Sequence, residues 1–408
     1  MRKHEYTLIP AMTRLPKRRS QLERDTMTQS SPDDTEDSDF RAAIGSEVED
    51  QESSPGSFEI VTYPADFTLE ILNEKMARGD IVVPKFQRKF IWKPKQSSRL
   101  IESFLLGIPV PPIFLFSDSD DKLLVVDGQQ RLKSIASFFK GLIGDPAEPT
   151  DIEFKLQIDE NSPYSNKTYA DLEATDLAAF RRLNNSVLRS FVIKQLKPKG
   201  RSGIYHVFER LNTGGTSLVG QEIRNCIFHG SFNELLIRLN TPPSARSKVP
   251  IEWRQNVTKW RKIVGRPKAD ARLRDVELIL RFFAMHDSMS AYKRPLKDFL
   301  SDYMEDMRRP DKPTIESHRD LFQRTVDAVH DSLGAKPFHI KAGLNAAVFD
   351  AVFLAFAAHK GRIPDDIKRR FQRLKRDKVF FDSTTAATTN TQSVKRRIRR
   401  AKKILFGA

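Results

Sequence analysis

Apolar positions change period several times between residues 58 and 232. Phe67, Leu69, Ile71 and Leu72 open a short helix that ends near Gly79. Ile81 to Pro84 reads as a short strand. Leu100, Ile101, Phe104 and Leu105 form the stripe of a helix from about Lys95 to Leu106, and Gly107 is placed to stop it. Ile108-Pro109-Val110-Pro111-Pro112 cannot be helical, because proline lacks the donor and clashes with the preceding turn. Ile113 to Phe116 and Leu123 to Val126 read as two strands joined by a polar turn. Leu132, Ile135, Ala136 and Phe139 recur at i, i+3, i+4 and i+7, which predicts a helix ending by Gly141. Alternation of Ile152, Phe154, Leu156 and Ile158 predicts a half-buried strand. Tyr169 to Leu183 reads as helix and Val187 to Leu196 as strand. Ile204, Val207, Phe208 and Leu211 form another helical stripe, and a last helix is expected from about Val219 to Phe228.

Beyond residue 232 the pattern is nearly all helical, in segments such as 274–284, 321–333, 344–358 and 393–405. No internal repeat is visible. The fold class expected is therefore α+β, with an all-helical C-terminal domain. The divisions are a disordered tail at 1–57, an α+β domain at 58–232 and a helical domain at 233–408. The tail expectation rests on the Ser-, Asp- and Glu-rich stretch from Gln29 to Pro55, which has few large apolar residues. Met27 is a plausible alternative start.

Charge sharpens this picture. The net charge is +16, and from Lys360 onward sixteen Lys and Arg face four Asp, an excess of twelve. Arg396, Arg397, Arg399, Arg400, Lys402 and Lys403 crowd the last predicted helix. Such local clustering suits a polyanion, because neutralised phosphates release counterions. The plainer alternative is a solvated helix face. The one cysteine, Cys226, excludes an intramolecular disulfide and a Cys-based zinc site, and its apolar neighbours suggest a buried small hydrophobe. No apolar run approaches a membrane span and no secretory leader is apparent, so a cytoplasmic location is expected.

Three stretches carry candidate chemistry. In Val125-Val126-Asp127-Gly128-Gln129-Gln130-Arg131-Leu132 a strand ends, Asp-Gly turns the chain and a helix begins. The first helical amides lack internal partners and attract anions. Gly128 lets a phosphate approach the backbone, and Arg131 offers donors to its oxygens. Asp127 is suited to Mg²⁺ held through waters or to orienting an attacking water, but an Asp here also serves as a simple helix cap. In Val83-Pro84-Lys85-Phe86-Gln87-Arg88-Lys89-Phe90-Ile91-Trp92, cations alternate with aromatics, as in base-stacking surfaces or at the edge of a core. In Phe208-Glu209-Arg210-Leu211-Asn212-Thr213-Gly214-Gly215-Thr216, a Gly-Gly turn either presents backbone donors or merely stops a helix. Gln221-Glu222-Ile223-Arg224-Asn225 then forms a dense polar set on a helix that must also pack.

Taken in order, these motifs resemble the N-terminal domain of GmrSD-type, modification-dependent restriction endonucleases, relatives of ParB and sulfiredoxin. The resemblance is carried by Val83-Pro84 with Phe86-Gln87-Arg88, by Trp92, and by Leu100-Ile101-Glu102-Ser103 with Gly107-Ile108-Pro109. It continues through Pro112, Val126 to Arg131, and Asn212-Thr213-Gly214-Gly215 with Gln221-Glu222 and Arg224. It covers about Phe58 to Phe228 clearly and the helical remainder loosely, through Arg274-Asp275-Val276-Glu277 and Asn345 to Asp350. It implies a ParB/sulfiredoxin-like fold that binds and hydrolyses a nucleoside triphosphate with Mg²⁺, within a phage-defence system that senses modified DNA. The implied catalytic residues are Asp127, Gln130 and Arg131. The implied nucleotide contacts are Gly128, Gln129, Gln87, Arg88, Asn212, Thr213, Gly214 and Gly215. Val219 stands where the family has Ser or Thr, which removes or moves a helix cap.

The eight histidines form no HNH pattern, and Glu153-Phe154-Lys155 only mimics the tail of a PD-(D/E)xK nuclease. Cleavage is therefore expected to need a separate nuclease subunit or an unrecognised site, and a homodimer is also allowed. Three readings remain: an NTP-hydrolysing DNA-associated protein, a non-catalytic DNA-binding module with nucleotide as a switch, and a metal-dependent nuclease.

Overall fold

The computed structural model describes residues 58–83, 90–117, 122–197, 202–211, 219–243, 249–340 and 343–407. The 1–57 segment and its expected disorder lie outside these residues.

A five-stranded mixed sheet organises the first half. Its order is β1 (Glu59–Pro64), β9 (Ser190–Lys197), β4 (Ile113–Ser117), β5 (Leu123–Asp127) and β3 (Ile81–Val82). β1–β9 and β4–β5 pair antiparallel, whereas β4–β9 and β3–β5 pair parallel. Two short pairings stand apart: β2 (Phe67–Thr68) with β8 (Val187–Leu188), and β6 (Leu142–Asp145) with β7 (Glu148–Glu153).

Both faces of the sheet are covered, and strand alternation decides which side chain goes where. Leu115, Val125 and Val192 point into a core shared with α1 (Leu69–Arg78), α2 (Pro94–Leu106), α3 (Gln129–Lys140), α4 (Tyr169–Thr175) and α5 (Leu177–Asn185). Their neighbours Phe116, Val126 and Ile193 point the other way, against α6 (Ser202–Leu211) and α7 (Gly220–Ile227). That second core continues without a break into the helical half, so the expected boundary at 232 falls in the first turn of α8 (Ser231–Asn240) and one core runs across it.

The helical half comprises α9 (Ile251–Val264), α10 (Arg274–Ser288), α11 (Leu296–Asp306), α12 (Lys312–Leu333), α13 (Ala346–Ala358), α14 (Ile367–Lys375), α15 (Lys378–Thr385) and α16 (Thr391–Phe406), with a short β10–β11 pairing (His339–Ile340 with Gly343–Leu344). α13 is apolar nearly all round and is buried from Ala346 to Ala357, as expected of a central helix. The α+β class and the helical second half match the sequence pattern.

Several expectations need correction. The alternating segment at 152–158 leaves the β6–β7 hairpin after Glu153: Phe154 still donates to the Gly141 carbonyl at 2.9 Å, but Leu156 exchanges hydrogen bonds with the turn at Asn166 and Lys167 instead of with a continuing strand. Both side chains are nonetheless core. The helix expected over 169–183 is two helices, broken at Asp176, whose carboxylate accepts from the Ala179 amide and starts the second. The edge strand β1 has no signal in the sequence pattern, because Ile60 alone packs against the core while Val61 and Tyr63 are exposed.

Among the described residues of the helical half, two carboxylates are buried completely: Asp275, which accepts from Arg261 at 2.7 Å, and Asp350. Asp350 on α13 accepts from Arg281 of α10 at 2.6 Å and 3.2 Å and from Arg397 of α16 at 2.9 Å. Nearby helices are joined by Asp287 at the end of α10, which accepts from the Tyr303 hydroxyl at 2.5 Å and meets His318 Nε2 at 2.8 Å.

Asp350→Ala is expected to cost about 3–5 kcal/mol, because it strands two buried guanidinium groups. Urea unfolding followed by circular dichroism reads this directly, and a loss under 1 kcal/mol would show that the guanidinium groups find other partners.

Candidate functional site: the turn between β5 and α3

The strand–turn–helix read from residues 125–132 is present. β5 ends at Asp127, Gly128 stands at the N-cap of α3 with φ of +98°, and no side chain caps the helix. The first intrahelical bond is Leu132 N–H to the Gly128 carbonyl, at 3.0 Å. The N–H groups of Gln129, Gln130 and Arg131 therefore have no carbonyl within the helix, and the positive end of the helix dipole is not masked by a cap. Asp127 is thus not the helix cap that the sequence left open.

Gly128 is dictated twice over. Its backbone lies in the left-handed region, and a Cβ there would stand 2.2 Å from Ile113 Cγ2. Ile113 is completely buried at the start of β4, so it cannot retreat. The turn is thereby pressed onto the sheet.

The five motif residues do different work. Arg131 Nη2 donates to Asp127 Oδ2 at 2.7 Å and to the Pro112 carbonyl at 3.2 Å. The Asp127 side chain is 55% exposed and that of Arg131 only 16%. Arg131 Nε is buried with no hydrogen-bond partner. The guanidinium thus faces an exposed carboxylate and keeps one unmet donor. Gln130 Oε1 accepts from the amides of Ile91 (3.0 Å) and Trp92 (3.3 Å). Gln130 is therefore a positioning residue: it pins the chain that follows residues 84–89 against α3. Gln87 and Arg88 belong to that segment and lie outside the described residues, as do Asn212, Thr213, Gly214 and Gly215.

The helices flanking 212–218 are described, and they hold the largest surprise. Gln221, Glu222, Arg224 and Asn225 on α7 are all buried. Arg224 donates to Glu277 (3.0 Å) on α10, to Ser301 (3.3 Å) on α11 and to Gln221 (3.2 Å), and its guanidinium lies over the Tyr205 ring. Glu222 accepts from Val219 N–H at 2.8 Å and from Arg272 at 3.2 Å. That bond partly replaces the cap which Val219 cannot supply. On α6, His206 Nε2 lies 3.3 Å from Asp298 and Lys297 lies 3.1 Å from Glu209. Both helices entering and leaving 212–218 are therefore ion-paired to the helical half. The dense polar set in the sequence hinted at this, but not at its partners 50 to 80 residues away.

Hydrogen bonding to Asp298 and Glu209 raises the His206 pKa to about 9, and the His206 contact lowers Glu209 to about 2. Burial pushes the Cys226 thiol up, in keeping with a buried hydrophobe.

At the C-terminus the six expected DNA contacts divide. Arg396, Arg399 and Lys403 are exposed on one face of α16, with Lys402 half-buried. Lys368, Arg373 and Arg376, on or just beyond α14, are exposed as well. Arg370 joins the two helices by donating to the Leu405 carbonyl at 3.1 Å. Arg397 departs from the expectation: it is 1% exposed and bound to Asp350, so it belongs to the core. The helical period explains this, since 394, 397, 398, 401, 404 and 405 form the buried stripe. Arg400 is paired to Asp377, at 2.9 Å through Nε.

Glu153 and Lys155 pair with each other at the surface (3.2 Å) and assemble nothing further. Among the described residues no group of three or more His, Cys, Asp or Glu could hold a metal, and no helix is long and apolar enough to cross a membrane.

Residues 69–229 match the family model described as GmrSD restriction endonuclease, N-terminal domain. That segment, about two fifths of the chain, contains the sheet strands from β3 to β9, the turn at Asp127 and the α6–α7 pair. No curated protein matches the chain.

Two outcomes are expected here. Gly128→Ala should destabilise the fold by about 1–3 kcal/mol from backbone strain alone, with the Ile113 clash added; an unchanged melting temperature would mean that the turn adapts. The second concerns pH. The folded pKa of His206 is raised, so its contribution to stability is complete below about pH 6.5 and is lost as pH rises through about 9. Denaturant midpoints of the wild type should fall across that window, and His206→Gln should flatten the fall.

Proposed function

We propose that this protein, which carries a GmrSD-type N-terminal domain at residues 69–229, is an NTP-hydrolysing, DNA-associated member of a restriction system. The domain match relates the protein to restriction and phage defence and suggests DNA as the partner. Nucleotide chemistry is our own reading, and one observation carries it: the uncapped start of α3, with Asp127 and Arg131 paired at its mouth.

In this reading the amides of Gln129, Gln130 and Arg131 hold phosphate oxygens, and the helix dipole adds to the attraction. Gly128 keeps the approach free of a side chain. Arg131 orients Asp127 through the 2.7 Å bond and adds its positive charge beside the bound anion. Asp127, exposed and single, fits a Mg²⁺ ion that takes most of its ligands from phosphate and water rather than from a protein cage. Such an ion would offset charge on the transferring phosphoryl group. Gln130 acts indirectly by fixing the chain after 84–89. The exposed arginines and lysines of α14 and α16 hold the DNA backbone without reading sequence.

A specific observation favours a second reading, a DNA-binding module in which nucleotide is only a switch. Among the described residues, the ion pairs that join α6 and α7 to other elements lead into the helical half, as a switch would need.

Phosphate release from each NTP with Mg²⁺, with and without DNA, separates the two. Asp127→Ala and Arg131→Ala are expected to lower kcat by about 10²–10³ while the proteins stay folded. Turnover that survives both substitutions would remove the catalytic reading. For DNA, replacing Arg396, Arg399 and Lys403 by Ala should reduce the slope of log K against log salt by about 0.9 per lost contact. Arg397→Ala should instead show up as lost stability, because its guanidinium never reaches the surface.

A further inference from the structure

A cleft of about 940 Å³ lies along α3 beyond its first turn, lined by side chains that the reading above leaves unused. α1 contributes Asn73, Met76 and Ala77, β3 and the residue after it contribute Ile81 and Val83, and the β6–β7 turn contributes residues 145–148. From α3 come Lys133, Ala136, Phe139 and Lys140. The size is within the usual range for small-ligand pockets.

The chemistry of the cleft is that of a site for a flat ring with a polar edge. Its lining includes the apolar side chains of Met76, Ile81, Val83 and Phe139. Phe139 is held in place by stacking on Tyr169, with ring centroids 4.5 Å apart. One polar pair stands among these walls: Lys133 Nζ meets Asp145 Oδ2 at 2.5 Å, and both side chains are largely buried. Asp145 Oδ1 is fixed by the Ala147 amide at 3.1 Å. The ammonium has further donors and the carboxylate further lone pairs, so the pair can offer both kinds of hydrogen bond to one planar edge.

Position connects the cleft to the turn. Gln129, Lys133, Ala136 and Lys140 follow one another at i, i+4, i+7 and i+11, which is a single stripe along α3. From Gln129 to Ala136 the helix rises about 10 Å, a reach that a nucleoside covers. Gln130 and Arg131 turn elsewhere, toward Ile91 and Pro112, and the stripe leads from the helix start toward the cleft.

We propose that this cleft takes the base of the nucleoside triphosphate whose phosphates rest on the start of α3, which makes it the base-selecting half of the site. The assignment rests on the nucleotide reading given above. Phe139 and the aliphatic wall enclose the ring, and Lys133 with Asp145 meets its hydrogen-bonding edge.

The test uses the full chain, isothermal calorimetry and two probes, an NTP and inorganic tripolyphosphate. Ala136→Trp fills the cleft, and Ala147→Trp blocks its rim from an exposed position that leaves the core untouched. Either variant is expected to weaken NTP binding about tenfold or more, the scale of a lost base stack. Tripolyphosphate affinity should stay within about twofold of wild type. NTP affinity unchanged in folded Ala147→Trp and Ala136→Trp would overturn the cleft as the base site and leave the phosphate site standing. Equal losses for NTP and tripolyphosphate would also overturn it, because the variants would then act on the phosphate site. A wild type that binds neither probe would remove the nucleotide reading, and the base assignment with it.

Discussion

A carboxylate that lies fully out of water must be answered in charge, and Asp350 sets that requirement for the helical half. Arg281 and Arg397 meet it from two different helices, so α10, α13 and α16 are tied at one point in the centre of the core. Fixing Arg397 inward fixes the rotation of α16 about its own axis. With 397 and 401 turned in, Arg396, Arg399 and Lys403 have to face outward. The basic face at the end of the chain is thus a consequence of a buried acid. Such an arrangement gains little stability over an apolar equivalent, and its value lies in specifying one geometry.

The same logic extends toward the sheet. Arg224 is held by Glu277 and Ser301, Glu222 by Arg272, and Glu209 by Lys297. These links fasten both helices around residues 212–218 to α10, α11 and the segment before α10. Since α10 also carries Arg281, one helix connects the α6–α7 pair to the core that orients α16. Sub-ångström changes in such packed networks are resisted until they switch as a whole.

Much of the fold was legible because its periods are clean. Gly79, Gly107 and Gly141 end their helices in the left-handed conformation, as their positions foretold. Where legibility failed, the cause was tertiary. Phe154 and Leu156 alternate like a strand but bond to Gly141 and to the turn at 166–167 rather than to a continuing strand, and Asp176 breaks a helix by capping the next. The turn at Asp127 was readable as strand, glycine and helix start. Gln130 was not, because a glutamine that accepts two amides from 38 residues away looks the same in sequence as one aimed at a ligand. Arg397 misled for a related reason: a run of basic residues on a helix hides which of them faces inward until the buried stripe is known.

The Asp127–Arg131 pair has a further consequence for selectivity. A guanidinium already engaged by a carboxylate is not simply available to the next anion that diffuses in. A bare phosphate that takes Arg131 leaves Asp127 without its counter-charge, and the exchange gains little. A ligand that brings its own cation satisfies both partners at once, so the exchange proceeds. If the turn holds nucleotide as proposed, this pairing would make it a lock that discriminates by ion composition, closed to free inorganic phosphate and open to a metal-laden polyphosphate.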